Sequence, residues 1–394
     1  MPEARHIRPQ GKRHGRVVVL GYIVRGPIGG MTWHYLNYVV GLQRLGMEVL
    51  FLEDSDDYAS CYDPERHLVS NDPTYGLAYA GAVLERVNLE EQWAYFDAHT
   101  AAWHGPRAGD ALHFARSADM LINISGVNPV RDWMLQIPVR VLIDTDPAFT
   151  QVKHLQDAGA RQRAQSFTHY FTFGENFGQP ACDVPEDGFD WKPTRQPVVL
   201  DLWRKEAPLR ESAPFTTVMQ WDSYKELRHD GRVYGMKSAS FSPYFDLPRH
   251  TTTPLEIALG SRDAPRAQLK ENGWGIRDPL EISQTPWTYQ AYILRSAGEF
   301  AVAKDAYVRT NSGWFSERSA CYLAAGRPVI LQDTGFSRHL PTGSGLFAFA
   351  NPEQAVEALD RCASDLRAQA KAAREVARES FDPATILNCL LNAL

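Results

Sequence analysis

The stretch from Asn311 to Phe336, NSGWFSERSACYLAAGRPVILQDTGF, constrains the fold more than any other part of the 394-residue chain. Turn and N-cap residue types (Asn311, Ser312, Gly313) open it, and Phe315 to Ala325 then reads as a helix. Gly326 suits the left-handed position that ends such a helix, and Pro328 forbids its continuation. Val329, Ile330 and Leu331 form a short apolar run of the kind buried on both faces of a parallel sheet. The polar run Gln332, Asp333, Thr334 and Gly335 falls at the carboxyl end of that strand, where open α/β sheets receive ligands. Arg318 adds a cation in the first turn of a helix whose free N–H groups already favour an anion, so the stretch predicts a nucleotide-diphosphate site.

The rest of the chain supplies partners for such a unit. Residues 1–15 read as a loose tail. Arg16 to Ile23 (RVVVLGYI) is a first buried strand, followed by a tight loop through Gly26, Gly29 and Gly30. Thr32 is a cap for a helix reaching about Leu45, Gly46 stops it, and Val49 to Leu52 is a second strand ending at Glu53-Asp54. G-x-G-x-x-G is missing, so a dehydrogenase-type NAD site is poorly supported. Further strands are expected at Asp119–Ser125, Val139–Asp144 and from Tyr170. Leu77–Leu89 fits a helix, and the surplus of aromatic residues between Cys61 and Gly109 suits stacking on an acceptor. Prolines punctuate Cys182 to Pro214, the best linker candidate. Strands at Phe215–Gln220, Leu255–Leu259 and Phe300–Ala303, with a helix at Thr288–Ser296, then predict a second domain. The domains expected are 16–200 and 201–375, with a final helix in 376–394 crossing back to the first.

Composition excludes several classes. A net charge of −6 argues against a nucleic-acid partner, because no basic excess exists to meet a phosphate backbone. Five cysteines, odd in number and without C-x-x-C, predict a reducing compartment, with neither a disulfide framework nor a zinc site. The first residues, MPEARHIRPQGKRHGR, lack the apolar core of a secretory signal, and no apolar run reaches the length of a membrane span. A cytoplasmic protein is expected, with peripheral membrane contact left open.

At Arg318, eight residues before Gly326 and followed by G-x-P-V and a strand, the chain resembles the donor-sugar site of GT-B glycosyltransferases, most closely the group-1 (family 4-like) and CgeB-like branches. Gly29-Gly30-Met31-Thr32-Trp33-His34 resembles the G-G-x-x-x-H that opens the first helix in the same enzymes. The resemblance implies two Rossmann-like doubly wound domains facing across a cleft. It implies Gly29 and Gly30 near the donor phosphates, His34 facing the cleft, and a phosphate-binding lysine after the first strand of the second domain. Lys225 is the nearest match for that lysine and Lys237 the fallback. The relatives place Glu five residues before that glycine to hold donor hydroxyls; here Cys321 stands there, and Glu317 is the nearest substitute. Gly313, Trp314 and Ser316 complete the implied diphosphate loop, and Trp274 and Ile276 are candidates to flank the nucleotide base.

The expected function is metal-independent transfer of a sugar from a nucleotide-diphosphate sugar, UDP or dTDP, to an acceptor hydroxyl. His34 and Asp146 are the candidate bases. The acceptor stays open among natural product, lipid-linked sugar, glycan and protein. Asp144-x-Asp146 keeps a rival alive, the metal-binding D-x-D of another glycosyltransferase class. Two further rivals are a nucleotide-sugar epimerase and a non-catalytic nucleotide-sugar binder, the latter motivated by Cys321.

Overall fold

The computed structural model describes residues 15–204 and 207–394, so the expected tail at 1–15 lies outside the described residues apart from Gly15. In chain order the first unit contains β1 (Arg16–Leu20), β2 (Glu48–Asp54), a hairpin of β3 (Cys61–Asp63) and β4 (Leu68–Ser70), β5 (Trp93–Asp97), β6 (Ala102–His104), β7 (Met120–Ile124), β8 (Val139–Asp144), β9 (His169–Thr172) and β10 (Trp191–Pro193). The second contains β11 (Phe215–Gln220), a hairpin of β12 (Leu227–His229) and β13 (Arg232–Tyr234), β14 (Leu255–Gly260), β15 (Gly275–Arg277), β16 (Gly298–Ala301), β17 (Val329–Gln332) and β18 (Leu346–Phe349).

Among the described residues the first sheet runs β10-β9-β8-β7-β1-β2-β5-β6, parallel except for the β5–β6 pair. The second runs β15-β14-β11-β16-β17-β18 and is parallel throughout. Central strands such as Val17–Leu20 and Val329–Gln332 are buried along their length, because helices cover both faces of a parallel sheet. Strand order reverses between β1 and β7 in one sheet and between β11 and β16 in the other, and such switch points leave a crevice outside the carboxyl ends of the strands. The residues that follow these strand ends line one cleft between the two units. The two doubly wound sheets are those expected for a GT-B fold.

Several local expectations need correction. The first helix is Gly29–Arg44 with Ile28 at its N-cap, so Thr32 is not the cap. Its hydroxyl instead donates to the Ile28 carbonyl at 3.0 Å inside the first turn. The helix in the aromatic-rich segment is Thr74–Glu85, earlier than expected. The proline-punctuated linker also carries β10, which closes one edge of the first sheet, and a short helix, Leu200–Trp203. The opening stretch keeps the order read, but its helix is Glu317–Ala324 with Ser316 at the N-cap, later than Asn311–Gly313 suggested, followed by Gly326 left-handed at φ 67° and β17.

The units are locked together at close range. A Cβ on Gly29 would lie 2.2 Å from the carbonyl oxygen of Thr285 across the interface, so only glycine lets the first helix approach that turn. Trp33 Nε1 donates to the Pro286 carbonyl at 2.7 Å, and its ring meets those of Trp203 and Trp287 at 5.0 and 5.3 Å. At the other side, Asn176 N donates to the Ser312 carbonyl at 3.0 Å and Trp314 Nε1 to the Thr145 carbonyl at 3.1 Å. The last helix, Pro383–Asn392, returns to the first unit: Val198 N donates to Phe381 O at 2.8 Å and Lys192 Nζ to Ala393 O at 2.7 Å. Replacing Gly29 by alanine is expected to cost about 1–3 kcal/mol by overpacking this interface, read as a lowered midpoint in urea unfolding.

Candidate active site

Two chambers of about 250 and 830 Å³ occupy the cleft and meet at Gly30, His34, Glu317 and Arg318. The helix Glu317–Ala324 brings its N-terminus to this junction, where Ser316 Oγ is buried without a hydrogen-bond partner. Arg318 is fixed by the fold: its Nε donates to the buried Glu299 carboxylate of β16, and Nη1 donates to the Val218 carbonyl of β11 at 2.9 Å. Glu299 holds the guanidinium charged, and the other Glu299 oxygen is buried without a partner.

Three lysines, Lys153, Lys237 and Lys304, join Arg318 in the larger chamber. Lys304, just beyond β16, pairs with Asp146 at 2.9 Å and sits over the rings of Phe149, Tyr224 and Tyr307 at 4.8, 4.5 and 5.2 Å. Lys237 has no ion pair among the described residues. Burial, followed by the neighbouring charges of Arg318 and Lys304, pushes its amine well below the usual lysine range. The chamber wall carries Lys153, Lys237, Lys304 and Arg318 together with Asp146, Asp157 and Glu317, and Glu299 is buried behind Arg318.

On the first unit, His34 is buried at the chamber junction and its Nδ1 has no hydrogen-bond partner. Burial lowers its pKa, although Glu317 opposes that shift, so the ring is neutral at pH 7. Asp146 faces the larger chamber, but its carboxylate accepts from Lys304 Nζ and from the hydroxyls of Tyr224 and Tyr307. In this state the candidate base is tied to the second unit. Asp144 points elsewhere: it accepts from Thr150 Oγ1 at 2.6 Å, Thr172 Oγ1 at 2.7 Å and Gln151 Nε2 at 3.1 Å. The two aspartates do not present a shared ligand pair, and no His, Cys, Asp and Glu cluster suited to a metal exists among the described residues.

The cleft thus brings together Gly30, His34, Asp146, Trp314, Ser316, Glu317 and Arg318 of the expected residues. Others lie elsewhere. Gly29 serves the interface with Thr285, and Gly313 abuts the Asn176 backbone. Lys225 is exposed and does not line the cleft, whereas its fallback Lys237 does. Trp274 is core, packed on Phe241 and Phe300, and Ile276 sits on the edge strand β15. The Gln332–Gly335 run braces the site without lining it. Gln332 Oε1 accepts from Ala303 N, Asp333 Oδ1 from Gly335 N at 2.8 Å, and Thr334 Oγ1 donates to the Trp314 carbonyl. A Cβ on Gly335 would strike Asn311 Oδ1 at 2.2 Å, which leaves no room there for a ligand. No ring from Cys61 to Gly109 lines either chamber; the Tyr, Phe and Trp side chains there are Tyr22, Tyr35, Phe149, Tyr224, Tyr289, Tyr307 and Trp314. Lys304 was missed, although a lysine just beyond a buried strand is a signal the sequence carried.

The loop after β1 is held by a buried acid at the end of β2. Glu53 accepts backbone N–H bonds from Ile23, Val24 and Arg25 at 2.6, 2.8 and 2.7 Å. Burial nonetheless pushes its carboxyl up to about 7. A folded-state pKa above the unfolded one contributes stability that is full below the unfolded value near 4.5 and is lost as pH rises through about 7. Glu53→Gln should therefore lower stability overall yet flatten its decline between about pH 5 and 7, by up to about 1.4 kcal/mol per pH unit inside that window, with the slopes converging above it, measured by denaturant midpoints.

No protein-family model matches the chain, and no curated protein matches it by sequence. Solved structures do match in fold. An alpha-glucosyltransferase in complex with UDP and a 13-mer DNA aligns at TM-score 0.59 and 11% identity, over 96% of this chain and 99% of that one. HepE from Anabaena, in complex with UDP and glucose, aligns at TM-score 0.53 and 12% identity over 97% and 100%. AviGT4, a glycosyltransferase involved in avilamycin A biosynthesis, aligns at TM-score 0.51 and 12% identity over 96% of each. The chain has the GT-B fold of these glycosyltransferases. The similarities reach the fold and give no support to the CgeB-like branch.

Proposed function

We propose that the protein is a glycosyltransferase that moves a sugar from a nucleotide-diphosphate sugar, carried on UDP or dTDP, to a hydroxyl of an acceptor. The observation that carries this reading is the grouping of basic side chains about the helix N-terminus in the cleft. Lys237 stands unpaired beside Arg318 and Lys304, at a helix N-terminus with an unpartnered Ser316 hydroxyl. Such a site is arranged for an anion. Breaking the anomeric C–O bond leaves charge on the departing diphosphate, and these fixed donors stabilise it where it develops. The chain's own cations take the place of a metal ion in this reading. The UDP complexes of two fold neighbours support the ligand class.

The acceptor side falls to the first unit. Neutral His34 can take a proton from an incoming hydroxyl, and Asp146 can do so once its partners on the second unit release it. Glu317, at the junction of the chambers, is placed to meet donor hydroxyls although it lies one turn before the position held by Cys321. A non-catalytic binder is the second reading, favoured by Cys321 and by the occupied Asp146. Such a protein would bind donor and release no free nucleotide diphosphate.

A thermal-shift panel of UDP, dTDP, GDP and ADP, each with Mn²⁺ and with EDTA, tests the donor site. Saturation at a hundred times Kd adds about 2.7 kcal/mol, and stabilisation by one nucleotide that survives EDTA is expected. Arg318→Ala would strip the buried Glu299 of its partner, so Lys237 is the cleaner probe. Lys237→Met should cost about 2–4 kcal/mol of transition-state stabilisation in nucleotide release from the donor while the thermal midpoint holds. Unchanged turnover in that variant would remove Lys237 from the leaving-group site.

A further inference from the structure

The four cations of the larger chamber differ in what holds them, and the difference matters once the donor-site reading above is granted. Arg318 is committed to Glu299 and to the Val218 carbonyl. Lys153 and Lys237 line the chamber and make no ion pair among the described residues. Lys304 alone of the four pairs with a carboxylate that itself lines the chamber, Asp146. We infer that Lys304 is a positioning residue shared between Asp146 and the donor diphosphate. It holds Asp146 before donor binds, and the diphosphate takes it over on binding. Asp146 then becomes free for an acceptor hydroxyl only once the donor is seated.

The contacts of Lys304 fit that exchange. It follows β16, the strand that also carries Glu299, at the switch point of the second sheet, so it and Arg318 face the same crevice. An ammonium has three N–H donors, and Lys304 Nζ uses two, on Asp146 Oδ1 at 2.9 Å and on the Tyr224 hydroxyl at 2.8 Å. The third can take a phosphate oxygen before either bond is given up. The rings of Phe149, Tyr224 and Tyr307 keep the ammonium in place while its anion changes, because an aromatic face attracts a cation without carrying a counter-charge. Lys237 lies close enough to feel the charges of both Arg318 and Lys304, which groups the three in one part of the chamber. A carboxylate paired with an ammonium is a weaker proton acceptor than one freed from it, so the pair also keeps Asp146 from acting before the donor arrives. The hydroxyls of Tyr224 and Tyr307, which donate to Asp146, keep its carboxylate in position after the lysine lets go.

Competition for one lysine has a thermodynamic signature that a merely structural ion pair lacks. Calorimetric titration of the full chain with UDP and dTDP reads it, on wild type, Asp146→Asn, Lys304→Met and the double variant. Whichever nucleotide binds wild type is expected to bind Asp146→Asn about tenfold more tightly, since no carboxylate then competes for Lys304. Lys304→Met should bind it about tenfold more weakly. With Lys304 already replaced, Asp146→Asn should change the affinity by about twofold or less, which is the coupling the exchange requires. Equal tightening by Asp146→Asn with and without Lys304 would mean plain repulsion of the anion by Asp146 and would overturn the inference. Unchanged affinity in Asp146→Asn would overturn it too, and both results leave the donor-site reading standing. Silence of UDP, dTDP, GDP and ADP towards the wild type would overturn the donor-site reading and this one with it. Tyr224→Phe, which removes one hydroxyl from a side chain 41% exposed, serves if Asp146→Asn does not fold. It should tighten the same nucleotide by about two- to threefold, and unchanged or weaker binding there would overturn the exchange.

Discussion

The buried pair of Arg318 and Glu299 is the interaction on which the cleft depends. Glu299 lies in a strand at the switch point of the second sheet and is sealed from solvent, so its charge is tolerable only beside a fixed cation. That cation comes from the first turn of the helix that also offers its N-terminus to the cleft. One ion pair thereby sets the register of helix against sheet and aims a guanidinium at the meeting point of two chambers. The unpaired Glu299 oxygen and the unpaired Ser316 hydroxyl mark the polarity left unused in the fold itself.

Around that pair the two units share their polar groups. Asp146 of the first is held by Lys304, Tyr224 and Tyr307 of the second, and Trp33 of the first donates to Pro286 of the second. The cation–aromatic contacts of Lys304 with three rings make this a dense contact for a region that also lines the larger chamber. An anion entering the cleft would therefore meet lysines of unequal freedom. Lys237 waits unpaired, whereas Lys304 must leave or share Asp146.

Much of the fold was legible because periodicity reports burial. The apolar runs at Val17, Leu121, Val141 and Val329 have no polar alternation, and each is a strand covered on both faces. Gly326 and Pro328 marked the helix end for steric reasons that no tertiary contact overrides. The placement of the candidate site was legible where a residue's position on a helix N-terminus carries it into the cleft, as for Ser316, Glu317 and Arg318. It was not legible where a role depends on what lies across space. Gly29 answers to Thr285, far along the chain in the other unit, and the polar run Gln332–Gly335 is consumed by a loop that precedes its own helix. Trp274 and Ile276 looked like a base-binding wall only because sequence cannot say which face of a unit turns to the core. Lysines were the hardest, since one pattern covers exposed Lys225 and the cleft-lining Lys237 and Lys304 alike.

The return of the last helix to the first unit has a mechanical consequence. The chain passes between the units twice, once after the short helix Leu200–Trp203 and once at Phe381, where Val198 N reaches back to the Phe381 carbonyl. Two crossings brought side by side act as the pin of a door. Such a paired crossing resists sliding of one sheet past the other more than it resists a swing about the crossing itself.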